Sequence, residues 1–365
     1  MTTTTMPIKS KPRAVKPEVK YAWFKERAFS TPLDTLMTLV FLSVLCYLGY
    51  LIVDWAFISA VWTEEDVAMC QEATGACWSV IDARHRLILF GLYPYESQLR
   101  ATLACASIIL AIVLSCFSFF WTIWRLSWLW FVGFASYYLL MEGSLLGLQQ
   151  VTTDEWGGLA LTLFLFSSVV LAGIPTGLLF AMLRRSKLPV ISYGISILID
   201  VVRSLPLLAT LFTAAVVIPI LLPEWLHGDK IWRVIVAFTL FFACYQAEVF
   251  RGGFQGVPKG QVEAGQALGL SSWHIFTRIV LPQVFRHSLP GTINMVVMTF
   301  KETAIVIIIG FFDVIASANA AIGTAQWAPY YMEVYAFVGF IYWGFIFLLG
   351  QYGSYLKRRL SNTSH

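Results

Sequence analysis

The sequence predicts an all-α integral membrane protein with about eight transmembrane helices. Three observations carry that prediction: a shortage of charge, a series of long apolar runs, and a lopsided placement of lysine and arginine. Of 365 residues, 58% are hydrophobic and 13% charged, against about 45–50% and about 25% in ordinary soluble domains. With 25 Lys and Arg and 21 Asp and Glu, the chain cannot clothe a soluble globule of its size in polar surface. The formal net charge of +4 is small and dispersed, which excludes a nucleic-acid face built on a basic patch.

A helix needs about 20 mostly apolar residues to cross the hydrocarbon core. Residues 35–53, 101–124, 156–183, 204–223 and 334–356 contain no charged side chain. Three weaker candidates complete the set. Residues 126–140 are bounded by Arg125 and Glu142, 231–250 carry Arg233 and Glu248 near their ends, and 292–312 contain Lys301 and Glu302.

Short loops rich in Lys and Arg stay on the cytoplasmic side. The N-terminal tail carries Lys9, Lys11, Arg13, Lys16, Lys20, Lys25 and Arg27, and the C-terminal tail Lys357, Arg358 and Arg359. Eight spans put both tails inside, together with Arg125, the Arg184-Arg185-Ser186-Lys187 turn and the loop at 251–290. Apart from Arg203, whose depth the sequence leaves open, the basic residues assigned outside are Arg84, Arg86, Arg100, Lys230 and Arg233. The tail at 1–31 lacks an adjacent cleavage site of small residues, so residues 35–53 read as a retained anchor. Cys46, Cys105, Cys116 and Cys244 fall in spans, where a small apolar role suits them. Cys70 and Cys77 share the outer loop at 58–100, where an oxidising compartment permits a disulfide and free thiols remain the alternative. No Cys/His spacing suits a metal.

Residues 32–155 hold three spans with almost no internal charge and read as an accessory membrane region. From Trp156 onward, charge enters the apolar segments as Asp200 and Arg203, Glu248 and Arg251, and Lys301 and Glu302. Ionisable groups at membrane depth mark sites by default, but the first two sets have i,i+3 spacing and also suit structural pairs near an interface. The loop at 251–290 predicts a short helix over 261–268, ended by Gly269 as a C-cap. A second helical stretch starts at Ser271 as N-cap and runs to a break before Pro282. Such a helix either presents a rigid knob to a partner or lies on lipid headgroups; Glu263 and the lack of basic residues between Lys259 and Arg278 favour the knob.

This loop resembles the Glu-Ala-Ala loop of type I binding-protein-dependent ABC importer permeases. Glu263-Ala264-Gly265, Gly269, Ile279 and Leu281-Pro282 follow its spacing, with Gly265 replacing the second alanine. Arg203-Ser204-Leu205-Pro206-Leu207, Glu248-Val249-Phe250-Arg251-Gly252-Gly253, Pro258-Lys259-Gly260-Gln261 and Lys301-Glu302-Thr303-Ala304 resemble the polar amino-acid branch of that family. In the upstream half, Ser30-Thr31-Pro32-Leu33-Asp34-Thr35, Ala60-Val61-Trp62-Thr63, Gly75-Ala76-Cys77-Trp78 and Phe90-Gly91-Leu92-Tyr93-Pro94 are similar to one subfamily. It comprises the M-type permease subunits of general L-amino-acid importers.

The resemblance implies a type I (MetI-like) permease core in the last five helices, at 156–356, and a short cytoplasmic tail at 357–365. It implies an amino-acid permease of the bacterial inner membrane that pairs with a second homologous permease and two cytoplasmic ATP-binding subunits. A periplasmic amino-acid-binding protein would deliver the substrate. The sequence has no G-x-x-x-x-G-K-[ST] loop, so ATP and Mg are expected on the partner ATPase, with no cofactor on this chain and no enzymatic activity of its own. Glu263, Ala264, Gly265, Gly269, Leu281 and Pro282 would form the coupling element. Glu302 and Lys301, with Asn294 and Thr303, would be candidates for the substrate pathway, Glu302 before Lys301 because the two neighbours point in different directions. Glu248 and Arg251 would fix the entry of the loop, and Arg203 would pin a helix at the inner interface. An ion-gradient-driven secondary transporter also explains the spans and buried charges, but it leaves the 263–282 loop without a purpose. A non-transporting scaffold leaves the buried charges unexplained.

Overall fold

The computed structural model describes residues 28–62 and 67–362. The basic residues from Lys9 to Arg27, and Thr63, lie outside the described residues. Two compact units divide the chain, Met1–Ser79 and Val80–His365.

In the first unit, helix α1 (Pro32–Val53) starts where Pro32, with no N–H to satisfy, follows Thr31. The Thr31 hydroxyl accepts from the Asp34 N–H at 3.1 Å, an N-cap that supplies one of the first-turn donors with a partner. A π turn, Asp54–Ile58, continues it. Helix α2 (Val67–Glu72) follows. Cys70 and Cys77 are joined as a disulfide with Cα atoms 5.5 Å apart, and Trp62 stacks on Trp78 at 5.9 Å.

The second unit is a helical bundle entered through α3 (Ser79–Phe90). It comprises α4 (Gln98–Ser115), α5 (Ile123–Glu142), α6 (Gly158–Leu183), α7 (Pro189–Ser204), α8 (Leu207–Phe212), α9 (Ile218–Leu221) and α10 (Lys230–Gln255). Beyond it come α11 (Lys259–Ala267), α12 (Ser272–His274), α13 (Leu281–Glu302), α14 (Val314–Ala321) and α15 (Tyr331–Asn362).

Among the described residues, six stretches are long and apolar enough to cross a membrane, and seven if one bent pair counts as a single span. Two expected spans differ. Residues 126–140 fall in α5, a 20-residue helix that is not among the six; Arg125 and Glu142 fall within it and dilute its apolar character. Residues 204–223 do not form one straight helix, because the chain bends by 106° between α7 and the Leu207–Leu221 stretch. Pro206 is the cause: it disfavours a helical Leu205, whose backbone is extended at φ −88°, ψ 143°.

The bundle is centred on α6 and α10, which approach almost backbone to backbone. A Cβ on Gly173 would lie 2.3 Å from the Phe242 ring, and one on Gly177 2.9 Å from Cβ of Gln246 and 3.0 Å from the Ala243 carbonyl. Small residues four apart permit this contact where lipid supplies no hydrophobic drive between helices. Around it, Tyr137 of α5 stacks on Phe164 at 5.4 Å and donates to the Ala160 carbonyl at 2.6 Å. Phe300 of α13 wedges between Phe166, Tyr342 and Phe345. At the end of the bundle opposite the 251–290 loop, the Gly158 N–H donates to the Phe312 carbonyl at 2.8 Å. Thr162 there accepts from the Val314 N–H at 3.3 Å.

Candidate functional site

Two groups of side chains meet where α6, α7 and α10 approach the 251–290 loop. The loop helix α11 starts after Val257-Pro258, with Pro258 extended at φ −61°, ψ 135°. It ends in a Schellman motif: Gly269 adopts φ +72°, its N–H donates to Gln266 O at 2.9 Å, and the Leu270 N–H reaches Gly265 O at 3.1 Å. Only glycine takes that φ without strain. Ser271 then caps the next helix, its Oγ accepting from the His274 N–H at 3.4 Å.

Along α11, Gly265 turns inward and is buried, while Glu263, Ala264, Ala267 and Leu268 are exposed, Leu268 by 79%. A Cβ at Gly265 would come within 2.9 Å of Ile275 Cγ1 and 3.3 Å of Ile279 Cδ1. The glycine in place of the motif's alanine therefore lets α11 press onto the turn that follows it. That turn departs from expectation. Instead of breaking before Pro282, the chain widens into a π turn over Ile275–Val280 and runs into α13, with Leu281 and Pro282 in its first turn. Proline can neither donate to the i−4 carbonyl nor fit against it, and the wider turn carries the helix past it without a stop.

Above the loop, Glu248 of α10 gathers three guanidinium groups. Its carboxylate accepts from Arg184, at the end of α6, and from Arg251, the latter at 2.6 Å; Arg203 of α7 stands 3.7 Å away. Asp200 pairs with Arg184 at 3.7 Å, whereas the expected Asp200/Arg203 pair does not form. Arg203 instead leans over the Tyr245 ring at 5.2 Å, and the Tyr245 hydroxyl donates to the Arg203 carbonyl at 3.2 Å. Four side chains that spacing assigns to two local pairs thus become one network tying three helices. Arg184 carries no local sign of membership, because its partner Glu248 lies 64 residues away. Beside the network, fully buried Gln246 donates to Thr292 of α13 at 2.7 Å.

The four pathway candidates separate. Asn294 and Lys301 are exposed, with Met298, on one stripe of α13; Glu302 is half-buried at its last turn. Thr303 is buried, and its hydroxyl donates to the Phe300 carbonyl at 2.7 Å. Among the described residues no group of His, Cys, Asp or Glu side chains could hold a metal ion.

Residues 173–362 match the family of binding-protein-dependent transport system inner membrane components. The chain is 35% identical over 344 residues to the inner membrane amino-acid ABC transporter permease protein YhdY of Escherichia coli, covering 93% of this chain and 92% of that one. It is 30% identical over 405 residues to the glutamate/glutamine/aspartate/asparagine transport system permease protein BztC of Rhodobacter capsulatus, covering 93% of each. A crystal structure of an amino acid ABC transporter with histidines is 28% identical, covers 54% of this chain and 90% of its own, and superimposes with a TM-score of 0.49. An almost wholly helical multi-pass architecture, the loop helix with its glycine-capped end and full-length relatives at this identity converge: the chain belongs to the binding-protein-dependent transport system inner membrane component family.

Proposed function

We propose that this chain is the translocating subunit of an ATP-driven importer that carries L-amino acids across a bacterial inner membrane, with both termini cytoplasmic. One observation carries the reading: α11 holds Glu263, Ala264 and Leu268 outward on a helix closed by the Gly269 turn, a shape suited to a groove on an ATP-binding subunit. A second homologous permease would complete the pathway and a periplasmic binding protein would supply the amino acid, in keeping with the relatives named as amino-acid permeases. ATP and Mg would act on the two ATP-binding subunits, and this chain would respond by a shift between inward- and outward-open states that those partners bias. The stripe of Asn294 and Lys301, with Glu302 beside it, is left uncovered by this chain and would face that pathway.

The test is uptake of labelled amino acids into proteoliposomes holding both permeases, with and without the ATP-binding subunits. Uptake is expected only with those subunits, ATP and the loaded binding protein. Uptake driven by an ion gradient in their absence would make the protein a secondary transporter.

A further inference from the structure

A cavity of about 620 Å³ opens between the ends of α6 and α10, the inner face of α11 and the π turn. Its walls carry two cations, Arg185 and Lys259, with no aspartate or glutamate among its lining residues. The Arg185 guanidinium lies 4.6 Å over the Phe254 ring, which holds a positive charge at the wall. Phe254 stacks on Phe276 at 6.3 Å, so an aromatic wall backs the cations. The chemistry is that of a site for an anion with an apolar body.

Depth and direction narrow the occupant. The spans Gly158–Leu183 and Lys230–Gln255 stop beside Arg185 and Phe254, which puts the cavity at headgroup level on the loop side of the bundle. On α11, Lys259, Val262 and Gln266 face the cavity, whereas Ala264 and Leu268 point away around the helix. A subunit docked over Ala264 and Leu268 therefore leaves the cavity side free, with Glu263, four residues beyond Lys259, between the two faces. We propose that this cavity binds the phosphate headgroup of an anionic phospholipid, with Arg185 and Lys259 on the phosphate and Phe254, Phe276 and Val280 against the glycerol and first methylenes. The lipid would wedge between the loop helix and the membrane spans, making their spacing depend on the leaflet. The proposal rests on the importer reading only in assigning this side to the cytoplasm.

The test uses the full chain, purified with the second permease, first without and then with the ATP-binding subunits. Native mass spectrometry would count phosphatidylglycerol and phosphatidylcholine retained by the wild type, by Arg185→Gln/Lys259→Gln and by Val262→Trp, which fills the cavity and keeps both charges. Lys187→Gln serves as the control, a nearby exposed cation outside the cavity lining. The wild type and control are expected to retain phosphatidylglycerol selectively. The double variant should lose about 30-fold of that preference, two cations' worth near an anionic surface, and Val262→Trp should release the lipid. Retention at the wild-type level in either variant overturns the proposal. So does displacement by excess inorganic phosphate, which would mark a soluble-anion site, or loss of lipid once the ATP-binding subunits are bound, which would give the cavity to an acidic side chain of theirs. ATP-dependent uptake without selective lipid retention sinks this proposal alone; uptake without the ATP-binding subunits sinks the importer reading whatever the lipid does.

Discussion

Asp313 shows how much one residue can depend on distant parts of the chain. It is fully buried, yet only one carboxylate oxygen is partnered, Oδ1 accepting from the Ala316 N–H at 2.9 Å as the N-cap of α14; Oδ2 has no partner. It lies between the spans ending at Ile309 and starting at Ala328, and burial pushes its carboxyl up from 3.8 to about 6. A folded-state pKa raised in this way gives stability that is complete below pH 3.8 and is lost as pH rises to about 6, because the fold disfavours the charged form. Thermal unfolding of the detergent-solubilised protein should therefore show a midpoint that falls across that window, and Asp313→Asn should flatten the fall. An unchanged slope in the variant would assign the dependence to other groups. Nothing around Asp313 in the sequence sets it apart from an ordinary loop acid. It is buried because Thr162, 152 residues from Val314, accepts that neighbour's N–H. The Glu248 network was half legible for the same reason: the i,i+3 pair with Arg251 is a local fact, while Arg184 is contributed by a different helix.

At the scale of elements, long uncharged runs marked most of the spans, since hydropathy adds along a chain without regard to its neighbours. Local backbone chemistry was legible where one residue decides it, as at Gly269 and Ser271, which end and start helices where expected. It misled where two effects compete. Pro282 breaks a regular α-helix, but six residues of π turn ahead of it carry the chain through; Pro206 turns a single span into two pieces at 106°. The loop helix carries the prediction that belongs to this scale. Glu263→Lys combined with Gly269→Asp reverses a charge on its exposed face and puts a side chain at φ +72°, at a conformational cost of about 1 kcal/mol. Pull-down of the ATP-binding subunits and amino-acid uptake should both fall toward background while the permease still inserts. Wild-type docking and uptake would remove the coupling role from α11.

For the molecule as a whole, the faces left uncovered are as informative as the core. Within the second unit, α7 exposes Val190, Tyr193, Ile197 and Val201 along one side, an apolar face that the described bundle does not cover. Sequence patterning identifies such faces as apolar without saying whether the same chain covers them, which is why it assigns the 32–155 region no task. The pathway prediction belongs here, since it concerns the face proposed to meet a second permease. Glu302→Gln removes a negative charge beside the exposed Asn294 and Lys301 stripe, and uptake of cationic relative to acidic amino acids should drop about tenfold, the worth of one charge contact. Unchanged selectivity in competition assays would move the recognition site to another surface. The close approach of α6 and α10 has a mechanical consequence for the whole molecule. With bare backbone at Gly173 and Gly177 set against Phe242 and Gln246, neither helix can slide or roll on the other without collision, since close-packed interiors switch between arrangements rather than yielding gradually. The pair should therefore move as a single rod, so that a push received beside Gln255 would reach the Gly158 corner at its far end.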